Sequence, residues 1–439
     1  MASSPTIIFI NLPHKTFVGI DLTSFNSSPN FHGITNLPPG LHFIYTGTDA
    51  SLSIRHGRWL NIEGPRPGPH VLQWNNDLEH LELLSPDTTT AQEVSKRLPE
   101  LHRRGLIDYH ALKDASAKQA KSQSASLHAS LHAADEDEAE SETENEESED
   151  PWPTLTSHIS PRLLNRVLTP HDHTTDWTLT SISSAPSDTE HIPGLSSVET
   201  QSALADTQTL NVLPVDLKQT WSVHAVGRQR TDMARDRSWY LSHLIEALRT
   251  PTAASGDGDL SQQAAARELL GEVQFTFLMV LCLANYSCLE QWKRILSVLF
   301  TCRGALLKVE GYFVEAIRVL RVQLGRVEDV EGGLFELADE MSSRWLRRLL
   351  RMFRTNVEEV FGDASEEGMD KGSERGKGLR AALGDLEEWL SERYGWEDES
   401  NVLRKGMIQL EDGEMVEVHM DGADEEDETG DYAPVVVET

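Results

Sequence analysis

Residues 273–283 read VQFTFLMVLCL, an apolar run interrupted only by Gln274 and Thr276. A helix on the surface of a protein keeps a polar stripe for solvent, so a helix that is apolar nearly all round has to be central. We therefore predict that this segment is the buried centre of an all-α domain. The longer apolar run over residues 275–289 falls short of the about 20 residues that a membrane span needs, and no membrane span is expected.

Apolar residues at helical spacing continue on both sides of this run. They predict helices over residues 152–168, 237–248, 260–283, 288–302, 303–324, 334–355 and 377–394. Residues 170–220 are instead rich in Ser, Thr, Asp and Pro, which predicts a long loop with little fixed structure.

The first hundred residues alternate short apolar runs with turn-forming residues, a pattern typical of a β-sandwich-like or barrel-like domain. A helix over residues 91–97 should end or kink at Pro99, because proline has no N–H to donate. Further along, Asp412-Gly413 predicts a hairpin of residues 407–410 and 415–418. The strands predicted in the first domain are residues 6–10, 17–21, 41–45, 58–62, 70–74 and 78–84.

Two acidic runs, residues 135–150 and 421–431, cannot bury a core and are expected to be disordered. Ser141, Thr143 and Ser148 lie among acidic residues of the first run and are candidate phosphorylation sites, with a plain solvated linker as the alternative. The expected organisation is a β-rich domain over residues 1–110, an acidic linker over 111–150, a helical domain over 151–395 and a C-terminal hairpin with an acidic tail over 396–439.

The formal net charge is −32, from 71 acidic and 39 basic residues. This balance argues against nucleic acid as the main partner, because clustered Lys and Arg supply phosphate affinity. Cys282, Cys288 and Cys302 all lie in one apolar segment, and we predict buried thiols of a reduced intracellular protein. Residues 1–10 lack the basic start and the long apolar run of a signal peptide.

The sequence has no Walker-type phosphate loop, no dinucleotide-binding fingerprint and no nucleophile elbow. His171 and His173 lie in a Pro-flanked loop, but two further metal ligands cannot be named, so loop histidines are favoured over a metal site. We therefore expect no enzymatic activity, no cofactor and no metal. A hydrolase is the alternative if distant Ser, His and Asp residues converge.

The segment 344–354 is a candidate partner-binding helix, because an apolar stripe runs beside a face of arginines. Such a helix suits RNA, a membrane surface or an acidic peptide. A solvated face neutralised by the chain's own acidic runs is the favoured alternative, and direct RNA contact is left open. The candidate partner-binding residues are Arg344, Arg347, Arg348 and Arg351.

A second candidate is Pro434-Val435-Val436-Val437, a β-branched segment on an acidic tether. An extended segment of this kind suits addition to the edge of another protein's sheet, where main-chain hydrogen bonds supply affinity. A frayed terminus is the equally weighted alternative.

Five short motifs occur in order along both halves of the chain. They are Phe17-Val18-Gly19-Ile20-Asp21, Phe31-His32-Gly33-Ile34, Leu37-Pro38-Pro39-Gly40-Leu41-His42-Phe43, the Gln274-Phe275 pair with Phe277-Leu278, and Leu289-Glu290-Gln291-Trp292-Lys293. Together they resemble the AAR-two family of splicing factors, in a divergent, fungal-type form. We interpret Phe275, Phe277 and Trp292 as core or interface anchors, and their spacing favours the core. We interpret the glycines and prolines of the first three motifs as turn-setting residues, namely Gly19, Gly33, Pro38, Pro39 and Gly40.

The resemblance implies an assembly factor of the U5 small nuclear ribonucleoprotein (snRNP), with a β-sandwich-like domain followed by a VHS-like helical domain. It implies binding to the RNase H-like and Jab/MPN domains of the large U5 core protein, in competition with the Brr-two helicase, in the cytoplasm and the nucleus. A helical-domain adaptor in vesicle trafficking is the rival interpretation, because VHS-like domains also occur there.

Overall fold

The computed structural model describes residues 5–48, 53–63, 68–115, 150–168, 177–189, 208–249, 260–327, 340–362, 375–396, 404–409 and 415–420. A β-sheet domain comes first in the chain and a helical region follows, as the sequence predicts. The chain forms two compact units. The first contains Met1–Val212 and Phe275–Leu289, and the second contains Leu213–Gln274 and Glu290–Thr439.

Two mixed sheets form the β domain, and each has five strands within the described residues. One has the order β8-β7-β1-β4-β9 and the other the order β10-β6-β5-β2-β3, where the strands are β1 (Thr6–Ile10), β2 (Phe17–Ile20), β3 (Thr23–Asn26), β4 (Gly33–Thr35), β5 (Gly40–Gly47), β6 (His56–Ile62), β7 (His70–Asn75), β8 (His80–Leu83), β9 (Leu106–Asp108) and β10 (Thr178–Thr180). β1 runs parallel to β7 and β4 runs parallel to β9, and the other pairs in both sheets are antiparallel.

A single buried apolar cluster contains residues from both sheets, as expected for sheets that pack face to face. Ile7 and Leu72 belong to the first sheet, Val18 and Ile44 belong to the second, and all four are almost completely buried. Every strand predicted from the sequence of this domain is confirmed to within two residues at each end. The sequence patterns missed β3, β4, β9 and β10, which are only three or four residues long.

Gly19 and Gly33 lie inside β2 and β4, so their interpretation as turn-setting residues is wrong. A Cβ atom on Gly19 would collide with the ring of Tyr45, and one on Gly33 would collide with the carbonyl oxygen of Ile7. Glycine is required there because neighbouring groups approach the backbone closely. Gly40 does adopt a left-handed conformation, with φ of +130°.

The helices of the described residues that have clear bounds are α1 (Thr89–Arg104), α2 (Trp152–Leu155), α3 (Pro161–Val167), α4 (Pro186–Thr189), α5 (Arg228–Arg235), α6 (Ser238–Arg249), α7 (Gln262–Leu283), α8 (Tyr286–Leu299), α9 (Glu310–Leu324), α10 (Glu340–Gly362) and α11 (Lys377–Tyr394). The prediction that the apolar run forms a buried helix is confirmed, because every residue from 268 to 283 in α7 is buried. Cys282, Cys288 and Cys302 are buried free thiols, also as predicted.

Four helix predictions need correction. The helix predicted over residues 334–355 continues to Gly362. α1 continues through Pro99 for five more residues, and the carbonyl that loses its helical donor belongs to Ser95, an exposed residue that solvent can reach. The helix predicted over residues 152–168 is two short helices, because Ser160 caps a new helix that has Pro161 in its first turn. α9 begins at Glu310 rather than at residue 303.

The late start of α9 has a visible cause in the second unit. The carboxylate of Asp236 accepts hydrogen bonds from the backbone N–H groups of Arg303 and Gly304, at 2.9 Å each. These bonds hold the residues before α9 in a turn. They also lower the pKa of Asp236, although burial of its carboxylate acts to raise it.

The prediction of little fixed structure over residues 170–220 is wrong for residues 177–189 and 208–220. They contain β10 and fully buried residues such as Leu179 and Leu210. In the first unit the side-chain amide of Asn285 donates to the carbonyls of Thr180, Ser181 and Ser183, at 3.1, 3.2 and 2.7 Å. One buried side chain therefore orders a segment whose own sequence is weakly patterned.

The predicted C-terminal hairpin is confirmed as an antiparallel pair of strands, β11 (Arg404–Gln409) and β12 (Met415–Met420). Its Asp412-Gly413 turn lies outside the described residues.

Candidate functional site, a groove lined by arginines

Helix α10 is fixed in the second unit by an apolar face. The ring of Phe353 packs edge-on against Phe300, with 4.9 Å between the ring centroids, and also contacts Phe313 at 5.9 Å. Trp345 is half-buried, with its ring centroid 6.1 Å from that of Trp292. The fully buried residues of this face recur at helical spacing and are Leu346, Leu349, Leu350, Phe353, Val357 and Phe361.

The arginines of α10 do not form one surface. Arg347, Arg351 and Arg354 follow each other at four- and three-residue spacing and line a groove of about 360 Å³. Arg344 and Arg348, which have the same four-residue spacing, do not line it. The structure therefore brings together two of the four predicted partner-binding arginines and adds Arg354 to them.

Helix α11 supplies the opposite wall of this groove. Leu390 gives it an apolar floor together with Leu350, and Trp396, which follows the helix in the sequence, also lines it. Gly384 also lines the groove and has open space where a side chain would lie. No pattern in the sequence pairs α10 with α11, so Trp396 and the acidic residues of this wall cannot be identified as groove residues from the sequence.

The three guanidinium groups have different surroundings. Arg354 Nε donates to Oε1 of Glu387 at 2.8 Å, and its Nη2 pairs with the second oxygen of the same carboxylate. The guanidinium of Arg347 lies over the ring of Trp396, 4.8 Å from its centroid. Arg351 is exposed between them.

This arrangement suits an acidic side chain that has an apolar neighbour. A guanidinium group presents paired N–H donors that match a carboxylate, and the apolar wall can take the neighbouring side chain. Glu387 and Glu388 on the facing helix reduce the positive charge, so a strongly anionic polymer is a poorer fit than a peptide.

Metal binding, thiol chemistry and membrane insertion have little support within the described ranges. They contain no cluster of three or more His, Cys, Asp or Glu that could hold a metal ion. Burial raises the pKa of the Cys282 and Cys302 thiols far above their usual range, so these two thiols are protonated at neutral pH. Among the described helices, none is both long and apolar enough to cross a membrane.

Several candidate residues lie outside the described residues. These are the candidate phosphorylation sites Ser141, Thr143 and Ser148, the histidines His171 and His173, and the strand-like segment Pro434 to Val437. They stay predictions.

Comparison with known proteins identifies the family. Residues 3–169 match the model of the AAR2 N-terminal domain, and residues 213–399 match that of the AAR2 C-terminal repeat region. The chain belongs to the AAR2 family. It is 25% identical to Protein AAR2 homolog of Mus musculus over 332 residues, which are 73% of this chain and 76% of the relative. The protein of that name from Homo sapiens is also 25% identical, over 330 residues with the same coverage.

The AAR-two resemblance inferred from the motifs is thus confirmed, and membership of the AAR2 family supports a splicing-related role. In this AAR2-family chain the motif residues of the helical region are buried, except Glu290 and Lys293, which are partly exposed. Gln291 Nε2 donates to Oε1 of Glu272 at 2.8 Å, and that same oxygen accepts from the backbone N–H of Leu213 at 2.9 Å. Phe275, Phe277 and Trp292 are at most 1% exposed, so they lie in the core and present no surface to a partner.

Proposed function

We propose that this AAR2-family protein is a non-enzymatic assembly factor of the U5 snRNP, active in the cytoplasm and the nucleus. In this proposal it binds the RNase H-like and Jab/MPN region of the large U5 core protein and holds off the Brr-two helicase until release. The observation that carries the proposal is the match to both AAR2 domain models, over residues 3–169 and 213–399.

The groove between α10 and α11 is the surface we assign to part of this contact. It offers an apolar floor at Leu350 and Leu390 and a positive charge at the exposed residue Arg351. A partner segment with an acidic residue beside an apolar one can use both features. If the helicase uses the same surface of the core protein, the two proteins exclude each other by overlap alone.

Release requires that this interface be weakened. Phosphorylation of Ser141, Thr143 or Ser148 would add about two negative charges per site at neutral pH. In a chain that already carries a formal charge of −32, the added charge would oppose an acidic partner surface. This trigger is part of the proposal.

The test is a pull-down of the purified C-terminal domains of the large U5 core protein by the full-length chain, with the Brr-two helicase added as competitor. We expect binding that the helicase displaces in a concentration-dependent manner. Absence of binding at both low and moderate salt would reject the proposed partner. Binding that persists as a ternary complex with the helicase would reject mutual exclusion while leaving the partner in place.

A further inference from the structure

A second cavity, of about 610 Å³, lies in the first unit between strands β6, β8 and β10. This volume falls within the about 300–1,000 Å³ that is usual for ligand sites. Its walls combine apolar and polar residues, and the buried residues Leu72, Leu81 and Leu179 belong to the apolar part. No residue of the family motifs or of the arginine groove lines this cavity.

The strands that flank this cavity offer few main-chain groups to a partner strand. β8 and β10 are the outermost strands of their sheets among the described residues. Yet the carbonyl of Leu81 accepts from Arg58 Nη2 at 3.3 Å, and that of Thr178 accepts from Gln208 Nε2 at 2.6 Å. The carbonyl of Thr180 accepts from Asn285. Because side chains already occupy these carbonyls, recognition of a ligand through its side chains is favoured over strand addition.

The opening of the cavity is apolar and faces solvent. Leu78 lies in the turn before β8 and is 59% exposed, and Ile182 follows β10 and is 55% exposed. Large aliphatic side chains exposed together at the mouth of one cavity are typical of a contact surface.

One cation lies in the apolar wall. Arg58 is only 6% exposed, and burial lowers its pKa to about 10 although the charge of Glu82 acts in the opposite direction. The guanidinium therefore remains charged at neutral pH, in surroundings that favour a nearby anion. Glu82 also lines the cavity and offsets part of this positive charge. Its Oε1 accepts a hydrogen bond from Asn75 Nδ2 at 2.7 Å and lies 3.7 Å from Nε2 of His80.

The histidines that line the cavity are compatible with an anion bound near Arg58. The rings of His56 and His80 stack with 5.6 Å between their centroids. Burial, and then the neighbouring His80, lower the pKa of His56, so it is neutral at neutral pH and leaves Arg58 as the buried positive charge.

We propose that this cavity binds an acidic side chain flanked by apolar residues, presented by a segment of a partner polypeptide. The carboxylate faces Arg58, and the flanking residues cover Leu78 and Ile182. A polypeptide fits better than a small anion because the two exposed side chains come from different turns, and a peptide carries apolar groups on both sides of its acidic residue. The proposal is independent of the U5 partner and of the arginine groove.

The first test is selection of displayed random dodecapeptides on the full-length chain. We expect enriched peptides to carry Asp or Glu beside large apolar residues. We also expect their binding to be lost in the double variant Leu78→Asp/Ile182→Asp. The matched control is Val226→Asp/Leu307→Asp, which places the same charges at residues 73% and 59% exposed in the second unit. Peptides that bind both variants equally, or the absence of enrichment, would overturn the proposal.

The second test concerns the charge. A synthetic copy of an enriched peptide is compared with its Glu→Gln (or Asp→Asn) form by fluorescence anisotropy. We expect about tenfold weaker binding for the amide form, as for loss of one partner in a desolvated charge pair. The variant Arg58→Lys keeps the positive charge and is chosen because larger changes can impair folding. It should weaken the binding of the acidic peptide more than the binding of the amide peptide. Equal binding of the two peptides, or a cavity that takes decanoate but no peptide, would show that the proposal is wrong.

Discussion

Nδ1 of His42 lies 2.8 Å from Oδ2 of Asp21, inside the β domain where Asp21 has no exposed surface. Nε2 of the same ring lies 2.8 Å from the carbonyl oxygen of Pro38, which can only accept a hydrogen bond, so Nε2 carries a proton. Tyr109 donates its hydroxyl to the same carboxylate, and the backbone N–H of Phe43 donates to Oδ1 at 2.9 Å. Two of the family motifs therefore converge on one buried ion pair.

Removing the charge of Asp21 should destabilise the β domain strongly. In Asp21→Asn the imidazolium of His42 loses its counter-charge while it stays buried, and we expect the free energy of unfolding to fall by about 3 kcal/mol. Urea denaturation followed by far-UV circular dichroism measures this. Asp21 has a φ of +53°, which Asn adopts readily, so backbone strain does not explain a loss. Asp77→Asn, at an exposed turn, is the control and should change little.

The same ion pair predicts a pH dependence of stability. Burial opposes protonation of His42, but the charge of Asp21 and the hydrogen bonds to Asp21 and Pro38 outweigh it and raise the pKa of His42 above 6.5. A raised folded-state pKa means that the stabilisation is complete below 6.5 and is lost as pH rises through the folded-state value. The destabilisation caused by His42→Gln should therefore be largest near about pH 6 and smaller near about pH 9.

The comparison is made as a difference between His42→Gln and the wild type at each pH. The pKa values of His56 and His70 are lowered mainly by burial, which gives the opposite slope. His56 is unchanged in the two proteins and largely cancels, whereas the charge of His42 adds to the shift of His70, so its removal reduces the expected difference at low pH. A difference that grows as pH rises would contradict the assignment of an imidazolium at residue 42.

Trp292 and Gln323 form a buried polar pair in the helical region. Trp292 Nε1 donates to Gln323 Oε1 at 2.9 Å, and both residues are fully buried. Trp292→Phe removes the donor to Gln323 Oε1. Gln323→Met removes the acceptor of Trp292 Nε1 and also the hydrogen bond from Gln323 Nε2 to the carbonyl of Val273. Each variant should cost about 1–3 kcal/mol in addition to any packing loss. The double variant should cost less than the sum of the two by about 1–2 kcal/mol, as measured by denaturation. Strict additivity would mean that the hydrogen bond contributes nothing.

Gly33 tests the close approach of β1 and β4. In Gly33→Ala the new methyl group meets the carbonyl oxygen of Ile7, a backbone atom that cannot move without breaking the strand pair, so we expect a loss of several kcal/mol. Gly384→Ala is the matched substitution in α11, where the added methyl meets open space. It should raise stability by about 0.5–1 kcal/mol. Thermal denaturation separates the two outcomes, and a mild effect at Gly33 would contradict the strand packing.

The sequence predicts those elements whose own residues determine them, and fails where a distant residue decides. The apolar run of α7 must be buried whatever surrounds it, and alternation placed the longer strands correctly. In contrast, residues 180–183 are ordered by hydrogen bonds from Asn285, about a hundred positions later in the sequence. The start of α9 likewise depends on a hydrogen bond from Arg303 to Asp236, which lies much earlier in the sequence. The groove follows the same rule, since Arg347 and Trp396 meet only because α10 and α11 pack together.

Arg351 and Arg344 allow the groove to be tested with two variants of the same helix. Both side chains are exposed on α10, but only Arg351 lines the groove. If the groove contacts an acidic segment of the U5 core protein, Arg351→Glu should weaken binding about tenfold, mostly through faster dissociation, while Arg344→Glu changes it less than about twofold. Surface plasmon resonance at two salt concentrations measures both rates. Because the two reversals change the net charge equally, equal losses would mean that overall charge and not the groove governs the interaction.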